Sequence, residues 1–461
     1  MTQKDVFTIT ADDLALFTDL YELAMMQSYF DAGLNDDAVF SLFIRRLPEG
    51  RNFLLACGLA DVLVSLESLR FTADAIAYLN SLGKFSDTFL DWLSAFRFEG
   101  DVYAVPEGTP VFANEPILEV VAPIGQGQLI ETLVMNQIHL QTLLASKAAR
   151  VVKAARGRTV VDFGARRMHG LDAALRAARA FHIAGVDATS NVLAGERYSI
   201  PVAGTMAHSY IEAFDREYEA FRTFTRSHPK TILLVDTYDT IEGVKNVVRL
   251  ARELGDAFQV QGIRLDSGDL AELAIESRKL LDTAGLESVG IFASGGIDEH
   301  VIANLVNQGA PVTGFGVGTA MGVSDDAPAL DIAYKLCAYS GEGRLKLSPG
   351  KQTYPGRKQV FRLEKGGKAV HDTIATADED LPGRALIELV MQNGKRCNGL
   401  TQDLDQMRSF AQQQLASLPA AVTSIDPLME PYPVHISDGV EAARVRVIEK
   451  LEQEKLGEPS R

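Results

Sequence analysis

Between residues 158 and 319, short apolar, β-branched runs recur at a steady interval. They are "RTVVDFG" (158–164), "IPVAGT" (200–205), "KTILLVDT" (230–237), "FQVQGIRLD" (258–266), "VGIFASG" (289–295) and "VTGFGVGT" (312–319). Segments with helical periodicity separate several of them. In "TIEGVKNVVRLARELG", Ile241, Val244, Val247, Val248, Ala251 and Leu254 fall on one face. "DLAELAIESRKLLDTAG" and "GIDEHVIANLVNQGA" repeat the scheme. Strands without polar alternation, spaced by amphipathic helices, predict a parallel sheet buried on both faces. A repeat of roughly 25 to 30 residues suits an irregular βα barrel better than a solenoid. "DATSN" (187–191) offers one more short strand, so six or seven parallel strands are expected.

The flanks follow other rules. Residues 14–100 read as mostly helical, as in "DLALFTDLYELAMMQSYFDAG" and "DAIAYLNSLG". Residues 96–123 carry β segments punctuated by Pro and Gly, with "PEGTP" as a turn. After about residue 335, "GRLKLSPGKQTYPGRKQVFRLEKGG" reads as loops and hairpins, and "IDPLMEPYPV" as a connector. The fold class is therefore α/β: a central βα barrel with an α+β accessory domain built from both flanks. The expected boundaries are 1–135 for the first part of the accessory domain, 136–330 for the barrel, 331–440 for the second part, and 441–461 for a charged tail.

Composition narrows the function. Of 461 residues, 46% are hydrophobic and 23% charged, the balance of an ordinary globular protein. Cys57, Cys337 and Cys397 are scattered without CxxC spacing, which argues against a disulfide framework or a zinc site and fits a cytoplasmic setting. No signal peptide and no transmembrane run is expected. A net charge of −16 argues against a nucleic-acid partner. It also opposes anionic substrates at long range, so any such substrate needs a local cluster of Arg and Lys.

Chemistry in an α/β barrel collects at the carboxyl ends of its strands. Here those ends carry Arg166 and Arg167; Thr205 and His208; Asp236 and Asp239; Arg264, Asp266 and Asp269; Ser294, Gly295 and Gly296; and Gly314, Gly316, Gly318 and Thr319. Each has a structural reading. Asp239 and Asp269 have the position of helix N-caps, a lone histidine after a strand is commonly a packed residue, and glycines relieve backbone strain. Six consecutive strand ends of this kind favour a site. The two glycine loops, with a helix N-terminus after Gly296, suit a phosphate cradle. The aspartates suit magnesium–diphosphate or ribose hydroxyls. The arginines suit carboxylate or phosphate. No GxxxxGK[ST] motif is present, so ATP would be held in another way. Lys351 and Lys358 could reach phosphates, although solvated surface lysines are the simpler reading.

The stretches "FTDLYELAMMQSYF", "EGTPVFANEPILEV", "VDFGARRMHG", "SNVLAGERYSIPVAGTMAHSY", "LLVDTYDTIEGV", "IRLDSGDL", "GFGVGT" and "GKQTYPG" together resemble the nicotinate phosphoribosyltransferase family, in order, from about residue 14 to about 365. The resemblance implies a type II phosphoribosyltransferase fold and a homodimer with active sites near the subunit interface. It implies transfer of phosphoribose from phosphoribosyl diphosphate to nicotinate, with ATP as co-substrate. It makes His208 the candidate phosphohistidine, places Tyr21, Thr205 and Arg264 at nicotinate, and places Thr319 at the phosphoribosyl donor. The strand-end chemistry adds Arg166 at nicotinate, and Asp236 and Asp266 as catalytic candidates and ligands of Mg2+. It also adds Arg167, Ser294, Gly295, Gly296, Gly316, Gly318 and Asp269 at the donor.

The chain departs from the family pattern at "RRMHG", where His169 has no assigned part, and at "GGID", which is closer to the phosphate loop of the quinolinate enzyme. Three alternatives stand beside the main reading. A nicotinamide or quinolinate phosphoribosyltransferase would share the fold. A barrel aldolase or isomerase would want a Schiff-base lysine, and no strand end between 158 and 319 has one. A non-catalytic metabolite-binding barrel would have little use for His208, two arginines and four aspartates together.

Overall fold

The computed structural model describes residues 9–347, 353–397 and 403–457. Lys351 and the first residues of "GKQTYPG" lie outside them. The chain divides into two compact units. One comprises Leu143–Pro328 with Ser424–Asp426; the other comprises the residues up to Thr142, Ala329–Thr423 and those from Pro427 onward.

The first unit holds six parallel strands: β1 (Thr159–Asp162), β2 (Ala188–Thr189), β3 (Ile232–Leu234), β4 (Gly262–Leu265), β5 (Gly290–Ala293) and β6 (Gly314–Val317). They pair in the order β2-β1-β6-β5-β4-β3, a curled half-barrel. Val160, Val161, Leu233, Leu234, Ile263, Leu265, Ile291, Phe315 and Val317 are all buried, as unbroken apolar runs require. Helices follow the strands: α1 (Leu171–Ala184), α2 (Val192–Tyr198), α3 (His208–Glu212), α4 (Glu217–Ser227), α5 (Thr240–Leu254), α6 (Leu270–Thr283), α7 (Glu299–Asn307) and α8 (Thr319–Val323).

Helix α5 shows how pattern becomes packing. Val244, Val247 and Leu250 are buried at its centre, while Ile241, Val248, Ala251 and Leu254 flank them half-buried. Each fully buried Val or Leu contributes about 1.5–3 kcal/mol. Asp239 starts the helix by accepting a hydrogen bond from the Glu242 N–H at 2.8 Å.

One expected strand is not formed. In "IPVAGT" only Val202 bridges to Thr189. The Thr189 N–H donates to the Pro201 carbonyl and the Ala203 N–H to the Thr189 carbonyl, each at 3.0 Å. Pro201 has no N–H to donate, and Val202 is 52% exposed, so this run lacks both the ladder and the burial of an inner strand. "DATSN" supplies β2 in its place.

In the second unit the expectation of a mostly helical 14–100 needs correction. The strand Asp37–Ile44 lies between Pro116–Pro123 and Ile332–Tyr339, antiparallel to both, inside a seven-stranded sheet. Lys358 also departs from expectation: it is buried and ion-paired with Glu119 at 2.9 Å, not solvated. The charged end expected as a tail is helical over Asp438–Gly457. Among the described residues, no helix is long and apolar enough to cross a membrane.

Candidate active site

The strand ends of the half-barrel open on a cavity of ≈ 610 Å³, within the range of small-molecule sites. Phe163, Ala165 and Arg166 reach it from the end of β1, and Ser190 from the end of β2. The segment Gly204–Ser209 forms a second wall, and Arg264 and Asp266 at the end of β4 close it. Five of the expected site residues therefore meet here: Arg166, Thr205, His208, Arg264 and Asp266.

His208 is the first residue of α3 and is half-buried. Its Nδ1 lies 3.1 Å from the Thr237 hydroxyl, which fixes the ring and leaves Nε2 as the other reactive nitrogen. Arg264 carries unused capacity. Its Nη2 donates to the Met206 carbonyl at 2.9 Å, and its Nη1 stands 3.6 Å from Asp266 Oδ1. Its Nε is buried with no partner. Burial lowers the pKa of this guanidinium and nearby Arg166 adds to that, against the opposing pull of Asp266 and Asp236. The Arg264 head also stands 5.9 Å from the centre of the Phe163 ring. A cation desolvated in this way gains by meeting an anion.

The carboxylates form a relay beneath the cavity. Asp236 Oδ2 accepts from the Asp266 N–H at 2.9 Å and from the Ser267 hydroxyl at 2.7 Å, while its Oδ1 is buried without a partner. The Ser294 hydroxyl donates to Asp266 Oδ1, tying the end of β5 to that of β4. Gly295 follows in a left-handed conformation with φ +83°, and a Cβ there would lie 1.8 Å from the Asp266 carbonyl oxygen. Only glycine fits. A Cβ on Gly316 would lie 2.4 Å from the Phe163 ring, so this glycine lets the ring form the cavity wall. Gly296 has φ +62°, and Gly318 leads into α8, whose first residue is Thr319.

Other expected groups stand elsewhere. Asp269 Oδ1 caps α6, accepting from the Ala271 and Glu272 N–H groups at 3.1 Å each, so the capping reading describes it. The N-terminus of α7 is likewise occupied, by Asp298 Oδ1, which accepts from the His300 and Val301 N–H groups. The phosphate cradle imagined there loses its helix terminus and keeps the loop N–H groups. Arg167 is exposed beside Arg166 in the turn Ala165–Arg167. Tyr21 belongs to the other unit, 51% exposed on the helix Leu20–Asp31. His169 is exposed.

The sequence reading passed over Phe163, Ser190, Met206 and Thr237. Phe163 stands three residues before Arg166 in "DFGARR", where an aromatic could face a ligand ring. Thr237 sits between two aspartates that drew all the attention. Among the described residues no group of three or more His, Cys, Asp or Glu is arranged to hold a metal. Magnesium held mainly by a diphosphate and water needs one or two protein carboxylates, and the unpartnered Oδ1 of Asp236 fits that need.

Comparison with known proteins agrees along nearly the whole chain. Residues 16–139 match the nicotinate phosphoribosyltransferase N-terminal domain, and residues 159–347 match the nicotinate phosphoribosyltransferase family. A nicotinate phosphoribosyltransferase of Mycobacterium tuberculosis is 54% identical over 434 residues, covering 94% of each chain. One from Bacillus subtilis is 37% identical over 484 residues, covering 96% of this chain and 98% of its own. The crystal structure of human nicotinic acid phosphoribosyltransferase is similar with a TM-score of 0.84 at 30% identity, covering 93% of this chain and 99% of that one. The chain belongs to the nicotinate phosphoribosyltransferase family.

Proposed function

We propose that this chain transfers the phosphoribosyl group of phosphoribosyl diphosphate to nicotinate, giving nicotinate mononucleotide and diphosphate, with ATP hydrolysis coupled through a phosphohistidine at His208. One observation carries the reading: a single cavity gathers His208, the partly unpaired Arg264, Arg166 and Asp266. Arg264 and Arg166 answer the nicotinate carboxylate, Phe163 offers a ring face, and Thr205 a hydroxyl. Tyr21 is the proposed second stacking partner. Ser294, Gly295, Gly296, Gly316, Gly318, Thr319 and Arg167 hold the donor.

The nicotinate ring nitrogen forms the new bond to C1 of the ribose as the bond to diphosphate breaks. Charge develops at an oxocarbenium-like carbon and on the departing diphosphate. Positioning and fixed charge therefore do most of the work, without an acid–base pair. Asp236 and Asp266 are the carboxylates assigned to oppose positive charge at the ribose. Asp236 would hold magnesium, which when bound would neutralise charge on the diphosphate.

The ATP step forms a P–N bond at His208 and breaks the bond to the β-phosphate, releasing ADP. The added charge beside the donor loops then biases their arrangement. Thr237 keeps the ring oriented before and after. The enzyme acts as a homodimer in this proposal, as the family resemblance implies.

The test is labelling with γ-labelled ATP. The wild type should yield an acid-labile, base-stable phosphoprotein, and His208→Ala should lose both the label and the stimulation of transfer by ATP. A His208→Ala enzyme that is still labelled and still stimulated would remove His208 from this role.

A further inference from the structure

Lys147 lies on the part of the helix Glu131–Ala155 that belongs to the barrel unit, and its side chain is 2% exposed. Its ammonium meets three carboxylates: Glu299 Oε2 at 2.6 Å, Asp326 Oδ1 at 2.8 Å and Asp325 Oδ1 at 3.7 Å. Arg150 joins the group, its Nε donating to Glu299 Oε1 at 2.8 Å and its Nη2 to the Ile425 carbonyl at 2.9 Å. Burial alone would push the Glu299 carboxyl up. The Lys147 charge and the hydrogen bonds from Lys147 and Arg150 outweigh that and hold it at about 2.

A buried ammonium is a costly way to fill space, and an apolar side chain of similar volume is often at least as stabilising. What distinguishes this cluster is where its acids come from. Glu299 opens α7, directly downstream of Gly295 and Gly296. Asp325 and Asp326 lie in the turn after α8, the short helix that Gly318 caps and Thr319 begins. One cation thus ties the helix start after one glycine loop to the far end of the short helix after the other.

We infer that Lys147 is a positioning residue for the phosphoribosyl donor, setting the separation of the Gly295–Gly296 and Gly318–Thr319 loops through Glu299 and Asp326. The inference rests on the proposed placement of the donor on those loops. Lys147 touches neither substrate. A diphosphate bridging two loops needs its donors placed within a fraction of an ångström, so loosening the tie weakens the donor specifically. Nicotinate is spared, because none of Lys147, Glu299, Asp325 or Asp326 lines the cavity that holds Arg264 and His208.

The experiment compares Lys147→Met, Lys147→Arg and Asp326→Asn in the full chain, with Thr319→Val as a reference. The readouts are the KM of each substrate and calorimetric binding of phosphoribosyl diphosphate. Lys147→Met should raise the donor KM about tenfold while nicotinate KM moves less than about twofold. Lys147→Arg should restore much of the loss, since it keeps the charge. Asp326→Asn, at a half-exposed carboxylate, should show a smaller shift of the same kind and serves alone if Lys147→Met does not fold. Equal rises in both KM values, or an unmoved donor KM in the folded variants, would overturn the tie. If Thr319→Val leaves donor binding intact, the placement of the donor fails and the inference fails with it. If Thr319→Val weakens the donor and the Lys147 and Asp326 variants do not, the tie alone is refuted.

Discussion

Arg264 in the half-barrel and Arg362 in the other unit are both shielded from water, yet they are held in opposite ways. Arg362 is fully buried on the strand Lys358–Lys365 and grips Asp372 with three hydrogen bonds of 2.6 to 3.2 Å. Its Nη2 also donates to the Pro110 carbonyl, and Tyr432 donates to Asp372 at 2.9 Å. Although burial opposes the charge, Asp372 and Glu115 raise the Arg362 pKa above its usual value. Arg264 has one firm hydrogen bond, a carboxylate at 3.6 Å and an orphaned Nε, and its pKa moves down. Each arginine keeps one buried nitrogen without a partner, Nη1 of Arg362 and Nε of Arg264, but the fold clamps Arg362 to a close carboxylate and leaves Arg264 without one. An arginine left short of partners at the wall of a cavity is preorganised for an anion that arrives later.

Two substitutions should break that contrast from its two ends. Arg362→Met strands Asp372 in the core and should cost about 3–5 kcal/mol of stability, read as a lowered denaturant midpoint. Any folded fraction should keep its wild-type KM for nicotinate. Arg264→Ala should do the reverse. Losing a charge-assisted contact should weaken nicotinate by about 2–3 kcal/mol, roughly 30- to 150-fold in KM, with the denaturant midpoint nearly unchanged. Nicotinamide has no carboxylate, so any turnover of it should be indifferent to Arg264→Ala. A nicotinate KM that stays put in that variant would take Arg264 out of substrate recognition.

The same contrast explains what could be read in advance. Residues presented at strand ends carry a positional signal, since barrel topology sends every such end to one mouth. Arg166, Arg264 and Asp266 were legible for that reason, whereas Thr205 and His208 reach the same cavity from and just after "IPVAGT", a run that forms a single bridge and not a strand. Groups that work through tertiary partners left no such trace. Thr237 matters because α3 brings His208 to it, and Lys358 looked like a surface lysine until Glu119, far earlier in the chain, enclosed it. The strand Asp37–Ile44 was hidden among helices because its neighbours in the sheet, Pro116–Pro123 and Ile332–Tyr339, are distant in sequence. "IPVAGT" failed in the other direction: its composition is strand-like, yet Pro201 and its exposure keep it to a single bridge.

The Lys147 cluster sharpens the comparison, because it lies in the half-barrel unit but is held by close opposite charges as Arg362 is. Its ionisation should therefore appear in stability. Glu299 sits at about 2 in the folded chain against 4.5 for the free side chain. A depressed carboxyl stabilises the fold at pH values above 4.5, and that contribution fades as pH falls toward 2. Between pH 6 and pH 3 the linked loss is about 2 kcal/mol. Glu299→Gln has no proton to bind there, so its stability should be lower at pH 6 and should fall less steeply across this window. Parallel urea midpoints of the two proteins from pH 6 to pH 3 would mean that Glu299 titrates alike in the folded and unfolded chains. The ion pairs with Lys147 and Arg150 would then contribute no net stabilisation of its charge.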